Sequence, residues 1–202
     1  SEKLYEYVMD IARKWVSPPY SVDGWRLDVA ADLGGTSEYN HKFWREKHSD
    51  EYNERLYGNG EAFFLSMFYH MSKMQTQSVQ IAMNELSNHD HSRFLTRTNR
   101  HVGRIGTAGS EAAGAEINKG IFREAVLIQM TWPGAPTVYY GDEAGVCGWT
   151  DPDNRRTYPW GKEDLGLIEF HKYMIGLHKR CQALRRGSLK QLGADHQFIS
   201  YG

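Results

Sequence analysis

Cysteine is scarce in this chain. Its two residues, Cys147 and Cys181, have neither metal-ligand spacing nor the density of a disulfide framework, so both read as small apolar residues and redox chemistry has no footing. Long hydrophobic runs are missing too, with no stretch of 18 apolar residues to suggest a membrane-spanning helix. Nor is there an excess of charge of one sign. The 24 basic and 25 acidic residues leave a formal net charge of -1, which offers no electrostatic footprint for nucleic acid or an acidic membrane surface. What is present is ordinary for a globular protein, with 40% hydrophobic and 24% charged residues. Six Trp and twelve Tyr bring aromatics to 13%, which suits stacking on sugar faces as well as packing in a core. The opening stretch, Ser1 to Trp15, reads as a charged amphipathic helix rather than a signal peptide, and a cytoplasmic location is the expectation.

Along the chain, helical and extended patterns alternate. Leu4, Val8, Ile11 and Trp15 form one helical stripe that breaks at Ser17-Pro18-Pro19, and a short strand is expected from Trp25 to Ala30. Phe64, Met67, Phe68 and Met71 mark a helix over residues 61–74, followed by a buried strand from Val79 to Leu86. Residues 97–120, rich in glycine, read as a long loop. A helix from Ile121 to Trp132 then stops at Pro133-Gly134, and a strand from Pro136 to Tyr140 follows. After a further loop, residues 164–185 form one helix with Ile168, Met174, Leu177, Cys181 and Leu184 on its stripe. Beyond Gly187, alternation over residues 188–192 and 197–201 predicts the strands of a separate β unit.

This order is that of an α/β protein with a parallel sheet covered by helices. Polar residues gathered at strand C-terminal ends point to part of a (β/α)8 TIM-type barrel over residues 1–186, followed over 187–202 by the start of an all-β domain. A full barrel takes eight strands and roughly 250 residues, and three strands are recognisable here, so the ring cannot close within this chain alone.

Two strand ends carry chemistry. In Gly24-Trp25-Arg26-Leu27-Asp28, alternation sets Arg26 and Asp28 on one face and Trp25 and Leu27 on the other. A guanidinium beside a carboxylate favours the ionised acid, as a carboxylate nucleophile requires, although a structural Arg–Asp pair accounts for these residues equally well. In Asn88-His89-Asp90, a carboxylate beside an imidazole suits holding sugar hydroxyls and a developing oxocarbenium charge. The cluster His89, Asp90 and His91 admits a competing reading as the metal site of a histidine–aspartate phosphohydrolase. His41, His48 and His70 lack convincing ligand spacing, and the strand-end setting favours the sugar enzyme.

Three strings in this order, Gly24-Trp25-Arg26-Leu27-Asp28-Val29-Ala30, Ser87-Asn88-His89-Asp90 and Pro136-Thr137-Val138-Tyr139-Tyr140-Gly141-Asp142-Glu143, resemble the α-amylase family of glycoside hydrolases. Asp151-Pro152-Asp153-Asn154-Arg155-Arg156 with Tyr158-Pro159-Trp160 resembles the loop after the eighth strand in its neopullulanase, cyclomaltodextrinase and maltodextrin glucosidase branch. The resemblance implies retaining cleavage of α-glucosidic bonds in maltodextrin-type oligosaccharides, without a cofactor or metal. Asp28 would be the nucleophile ending strand 4, with Arg26 its partner. Asp90 would be the transition-state-stabilising carboxylate after strand 7, with His89 beside it on the sugar, and Asp151 and Arg155 would hold the next sugar units. Transferases and isomerases share these motifs. Many relatives dimerise through an extra N-terminal domain, so a homo-oligomer would form through regions outside this chain.

The family's general acid, a Glu ending the fifth strand, has no counterpart between the two motifs. Sequence resembling the helix after strand 4 passes at Glu46-Lys47 directly into sequence resembling the approach to the sixth helix. An apparent deletion or gap there predicts a chain inactive by itself, and it leaves a non-catalytic glucan-binding protein as a further reading. Asp142 and Glu143 could reach the site, but the Gly-Asp-Glu turn reads as structural.

Overall fold

The computed structural model describes residues 1–25 and 56–202. Arg26, Asp28, the expected strand beyond Trp25 and the Glu46–Lys47 junction lie outside the described residues. The chain divides into two compact units, Ser1–Ser49 and Asp50–Gly202.

In the first unit, α1 (Glu2–Val16) starts where the Ser1 hydroxyl accepts from the Leu4 amide, with Glu2 in its first turn and Arg13 and Lys14 in its last, the charges that suit the helix dipole. The helix ends before Pro18, and the Trp25 indole donates back to the Ala12 carbonyl at 3.2 Å.

The second unit opens with α2 (Gly60–Met71), capped by the Asn59 side chain on the Ala62 amide, and α3 (Thr76–Ile81). Strand β1 (Met83–Glu85) follows. The residues expected as one strand from Val79 to Leu86 thus begin as a helical turn, a correction that reflects how a short apolar run fits a half-buried helix and a strand equally well. Val79 is buried in that turn and Ile81 is exposed. Helix α4 (Phe94–Arg97) comes next, and the region read as a loop over 97–120 holds α5 (Ile105–Ala108) and a 3₁₀ turn at Glu111–Gly114. Helix α6 (Lys119–Thr131) is capped by Asn118, whose side chain accepts from the amides of Gly120 and Ile121, and it leads to β2 (Ala135–Thr137).

Strands β1 and β2 pair in parallel, Met83 with Ala135, Asn84 with Pro136 and Glu85 with Thr137, so β1–α6–β2 is a βαβ unit, the repeating element of the expected barrel. Gln129 clamps it: its buried side-chain amide donates to the carbonyls of Asn84 (3.0 Å) and Thr137 (2.9 Å), one on each strand. Past a 3₁₀ turn at Asp153–Arg155, the helix expected over 164–185 is split at Cys181 into α7 (Leu165–Arg180) and α8 (Gln182–Arg186). The buried face of α7 is Leu167, His171 and Met174, and it packs on Phe122, Val126 and Met130 of α6; Leu95 and Trp149 complete this core. Each fully buried side chain of this size contributes about 1.5–3 kcal/mol. The chain finishes in an antiparallel hairpin of β3 (Gln191–Asp195) and β4 (Phe198–Tyr201), its first strand starting later than alternation predicted.

Candidate active site

The loop leaving β1 is shaped by Asn88, whose side-chain oxygen accepts from the amides of Asp90 (2.9 Å) and His91 (3.2 Å). This Asx turn directs the chain away from the strand and leaves the two side chains between free for other work. His89 Nε2 lies 3.4 Å from Asp90 Oδ1, and both side chains are about half exposed, at 44% and 48%.

The loop after β2 supplies the second half. Arg155 and Asp151 form an ion pair at 2.6 Å, also half exposed. Between them in sequence, Asn154 is fully buried. Its side-chain amide donates to the carbonyls of Asn88 (3.1 Å) and His91 (2.7 Å), the residues that bracket His89 and Asp90. The turn itself is held from the other side by Asp153, which accepts from the Trp149 amide, the Ser110 hydroxyl and Arg156. Burial pushes the Asp153 carboxyl up, but the Arg156 guanidinium and these hydrogen bonds more than offset it and hold it below the ordinary carboxylate value.

Beneath both loops lies Arg93, with no exposed surface. Its Nε donates to the Asn154 carbonyl (2.8 Å), and Nη1 donates to the Tyr140 carbonyl (2.6 Å) and to Asp142 Oδ1 (3.0 Å). The guanidinium stacks 4.0 Å from the Tyr139 ring centroid and 4.8 Å from that of Tyr140. One side chain therefore joins the chain after β1, the end of β2 and the turn carrying Asp151 and Arg155. Burial raises the Asp142 carboxyl above its ordinary value, with Ser87 and Arg93 pulling in the other direction. Glu143 turns back to accept from the Gly141 amide at 3.0 Å, as the structural reading of this turn expected.

The structure thus joins Asp90 and His89 to the loop of Asp151 and Arg155 through Asn154, while Asp28 and Arg26 lie outside the described residues. Arg93 and Asn154 were not singled out from sequence. The available signal was an arginine beside Phe94-Leu95 at the start of a buried segment, which demands a buried partner. Among the described residues, no three His, Cys, Asp or Glu side chains are grouped so as to hold a metal ion, and this includes His89, Asp90 and His91. A cavity of about 430 Å³ lies elsewhere, between α6, α8 and the hairpin, lined by Leu127, Leu184, Leu189 and Tyr201. No helix among the described residues is long and apolar enough to cross a membrane.

Residues 37–186 match the description of the α-amylase catalytic domain. The chain belongs to the α-amylase family. Among its relatives, Neopullulanase 2 of Thermoactinomyces vulgaris is 32% identical over 241 residues, covering 98% of this chain and 37% of that protein. A cyclomaltodextrinase of Geobacillus thermopakistaniensis is 28% identical over 237 residues, covering 96% and 36%. Both alignments are longer than the 202 residues available here, so each relative carries positions that this member of the α-amylase family lacks. A cyclomaltodextrinase of known structure superposes with a TM-score of 0.65 at 25% identity, over 98% of this chain and 38% of the other. The α/β chain is accordingly part of the family's TIM barrel with its C-terminal β addition, and it spans little more than a third of the length of these relatives.

Proposed function

We propose that this chain carries the nucleophile and the transition-state stabiliser of a retaining glycoside hydrolase that cleaves α-glucosidic bonds in maltodextrin-type oligosaccharides. The observation that carries the reading is the stitched pair of loops. Asp90 and His89 stand beside a second acid–base pair, Asp151 and Arg155, on a family scaffold whose relatives are named neopullulanase and cyclomaltodextrinase. In this reading Asp28 attacks the anomeric carbon to form a glycosyl ester, and Arg26 keeps it ionised. Asp90 and His89 hold the sugar as positive charge develops, and Asp151 with Arg155 grips the next units. Residues 1–186 would be the partial barrel and 187–202 the beginning of the β domain. The positions that relatives have and this chain lacks support a missing segment, which the family resemblance of the flanking sequence puts near Glu46-Lys47 with the general-acid Glu on it.

That absence supplies the test. An oligosaccharide needs a proton on its leaving oxygen, whereas fluoride leaves without one, so a chain with nucleophile and stabiliser but no acid should act on α-maltosyl fluoride alone. The C1–F bond breaks, fluoride departs with its electron pair, and an Asp28 carboxylate oxygen bonds C1. Without the acid's second role as base, water removes the sugar slowly. We expect a burst of about one fluoride per chain, a maltosyl adduct on the Asp28 peptide by mass spectrometry, and no measurable cleavage of maltotetraose. Asp28→Asn and Asp90→Asn should each reduce the burst rate at least a hundredfold, in line with loss of a group acting in the transition state. A burst unchanged in Asp28→Asn would remove that residue from the role. No burst, with maltotetraose still bound, would favour the glucan-binding reading.

A further inference from the structure

Asn154 lies between the two residues proposed to grip sugar units and has no exposed surface, yet both of its side-chain donations leave its own loop. They end on the carbonyls of Asn88 and His91, so the clasp closes around His89 and Asp90 from both sides in sequence. The same residue's carbonyl accepts from Arg93 Nε at 2.8 Å, which fixes the backbone from which the amide reaches. Its Oδ1 is buried with no hydrogen-bond partner among the described residues, so the amide's hydrogen bonding runs through Nδ2 alone.

Asp153 beside it bonds Trp149 and Arg156 within the turn and Ser110 outside it, whereas both side-chain donations of Asn154 end on the loop that carries His89 and Asp90. We infer that Asn154 is a positioning residue: it sets the spacing between the cleavage-side pair His89–Asp90 and the sugar-gripping pair Asp151–Arg155, and so sets how strongly affinity grows with the length of an α-glucan. The inference rests on the reading of both pairs as sugar contacts. Without the clasp each pair keeps its own internal contact, 3.4 Å in one and 2.6 Å in the other, and a short ligand that needs one pair loses little. A longer ligand that needs both must then order two loops instead of meeting one rigid frame.

The test is the affinity of the full chain for maltose, maltotriose and maltotetraose by calorimetry, in wild type, Asn154→Ala and the milder Asn154→Ser, with folding checked by circular dichroism. The wild-type affinity should climb with length. In the variants the gain from maltose to maltotetraose should shrink about tenfold, the size expected for losing one or two hydrogen bonds to buried carbonyls, while maltose binding stays within about twofold. In an Asp151→Ala, Arg155→Ala background, Asn154→Ala should change nothing further, because nothing is left to position. A loss equal at every length, an undiminished gain, or a wild type whose affinity does not grow with length would each overturn the inference. The fluoride burst reports on the hydrolase reading separately, so a chain that binds by length without a burst keeps this inference and loses that one.

Discussion

At the scale of single residues, the site depends on a guanidinium placed where water cannot reach it. Arg93 is buried against Asp142, with side-chain exposures of 0% and 4%, and such a pair is costly to break from one side. Arg93→Met should therefore destabilise the second unit by about 3–5 kcal/mol, read from urea unfolding, because it strands the carboxyl of Asp142. Replacing both partners, as Arg93→Met with Asp142→Leu, should recover a large share of that loss. If the double variant is as unstable as the sum of the two single variants, the pair is not coupled. The Asp151–Arg155 pair stands at the other extreme. It is half exposed on each side, and an ion pair of that kind is worth about 0–1 kcal/mol, so Asp151→Ala should leave the melting temperature nearly unchanged and register in oligosaccharide affinity instead. The difference also explains what was legible beforehand. Asp90 and His89 stood out because polar residues ended an apolar stretch. The partner of Arg93 is 49 residues away, and nothing local in Ser92-Arg93-Phe94 names it.

At the scale of elements, the helices that read most clearly are those with a capping residue and an apolar stripe together. Asn118 starts α6 and Asp164 starts α7, and both helices lie within two residues of the boundaries that periodicity predicts at those ends. The strands read less well, because three residues are too few for a period of two to declare itself, and because Asn84 and Thr137 are held by a clamp from Gln129 that no strand pattern contains. The α7 cap carries a prediction of its own. Asp164 accepts from the Leu167 amide at 3.0 Å and pairs with Lys119, whose hydrogen bond and charge outweigh partial burial and hold the carboxyl below its ordinary value. A carboxylate depressed in the folded state stabilises above its unfolded value, about 3.9, and loses that contribution as pH falls through the folded value. Asp164→Ala should cost about 1 kcal/mol at pH 7, and the gap to wild type should close below about pH 3.9. Unfolding curves at pH 7 and in that acid range decide it; a gap that stays constant would assign the effect to helix propensity rather than to charge.

At the scale of the molecule, the last sixteen residues pack on the rest of the second unit through a surface close enough to be disturbed by one methyl group. The hairpin β3–β4 lies against the start of α2. Gln197 donates its amide to the Gly58 carbonyl at 2.6 Å, and Asn59 bridges to His196. On the far side the Tyr201 hydroxyl meets Thr131 Oγ1 at 2.6 Å, beside the cluster of Trp132, Phe63, Phe64 and Phe68. Gly60 sits where the two surfaces are nearest: a Cβ there would lie 2.5 Å from the Phe198 carbonyl oxygen and 2.9 Å from that of Asp195. Both obstacles are backbone of a paired hairpin, so neither can turn aside as a side-chain end would. Gly60→Ala should therefore shift the hairpin off α2 and cost about 1–3 kcal/mol, outweighing the gain that alanine normally brings to a helix. Tyr201→Phe, which loses one hydrogen bond and keeps the ring packing, should cost about 1 kcal/mol. If the hairpin is docked as described, hydrogen exchange in Gly60→Ala should rise across residues 191–201 while the amides of α6 and α7 keep their protection. Uniform loss of protection would mean that the β segment and the helical core unfold as one body. Neither substitution touches the loops of Asp90 and Asn154, so the fluoride burst per folded chain should be the same in both variants as in wild type.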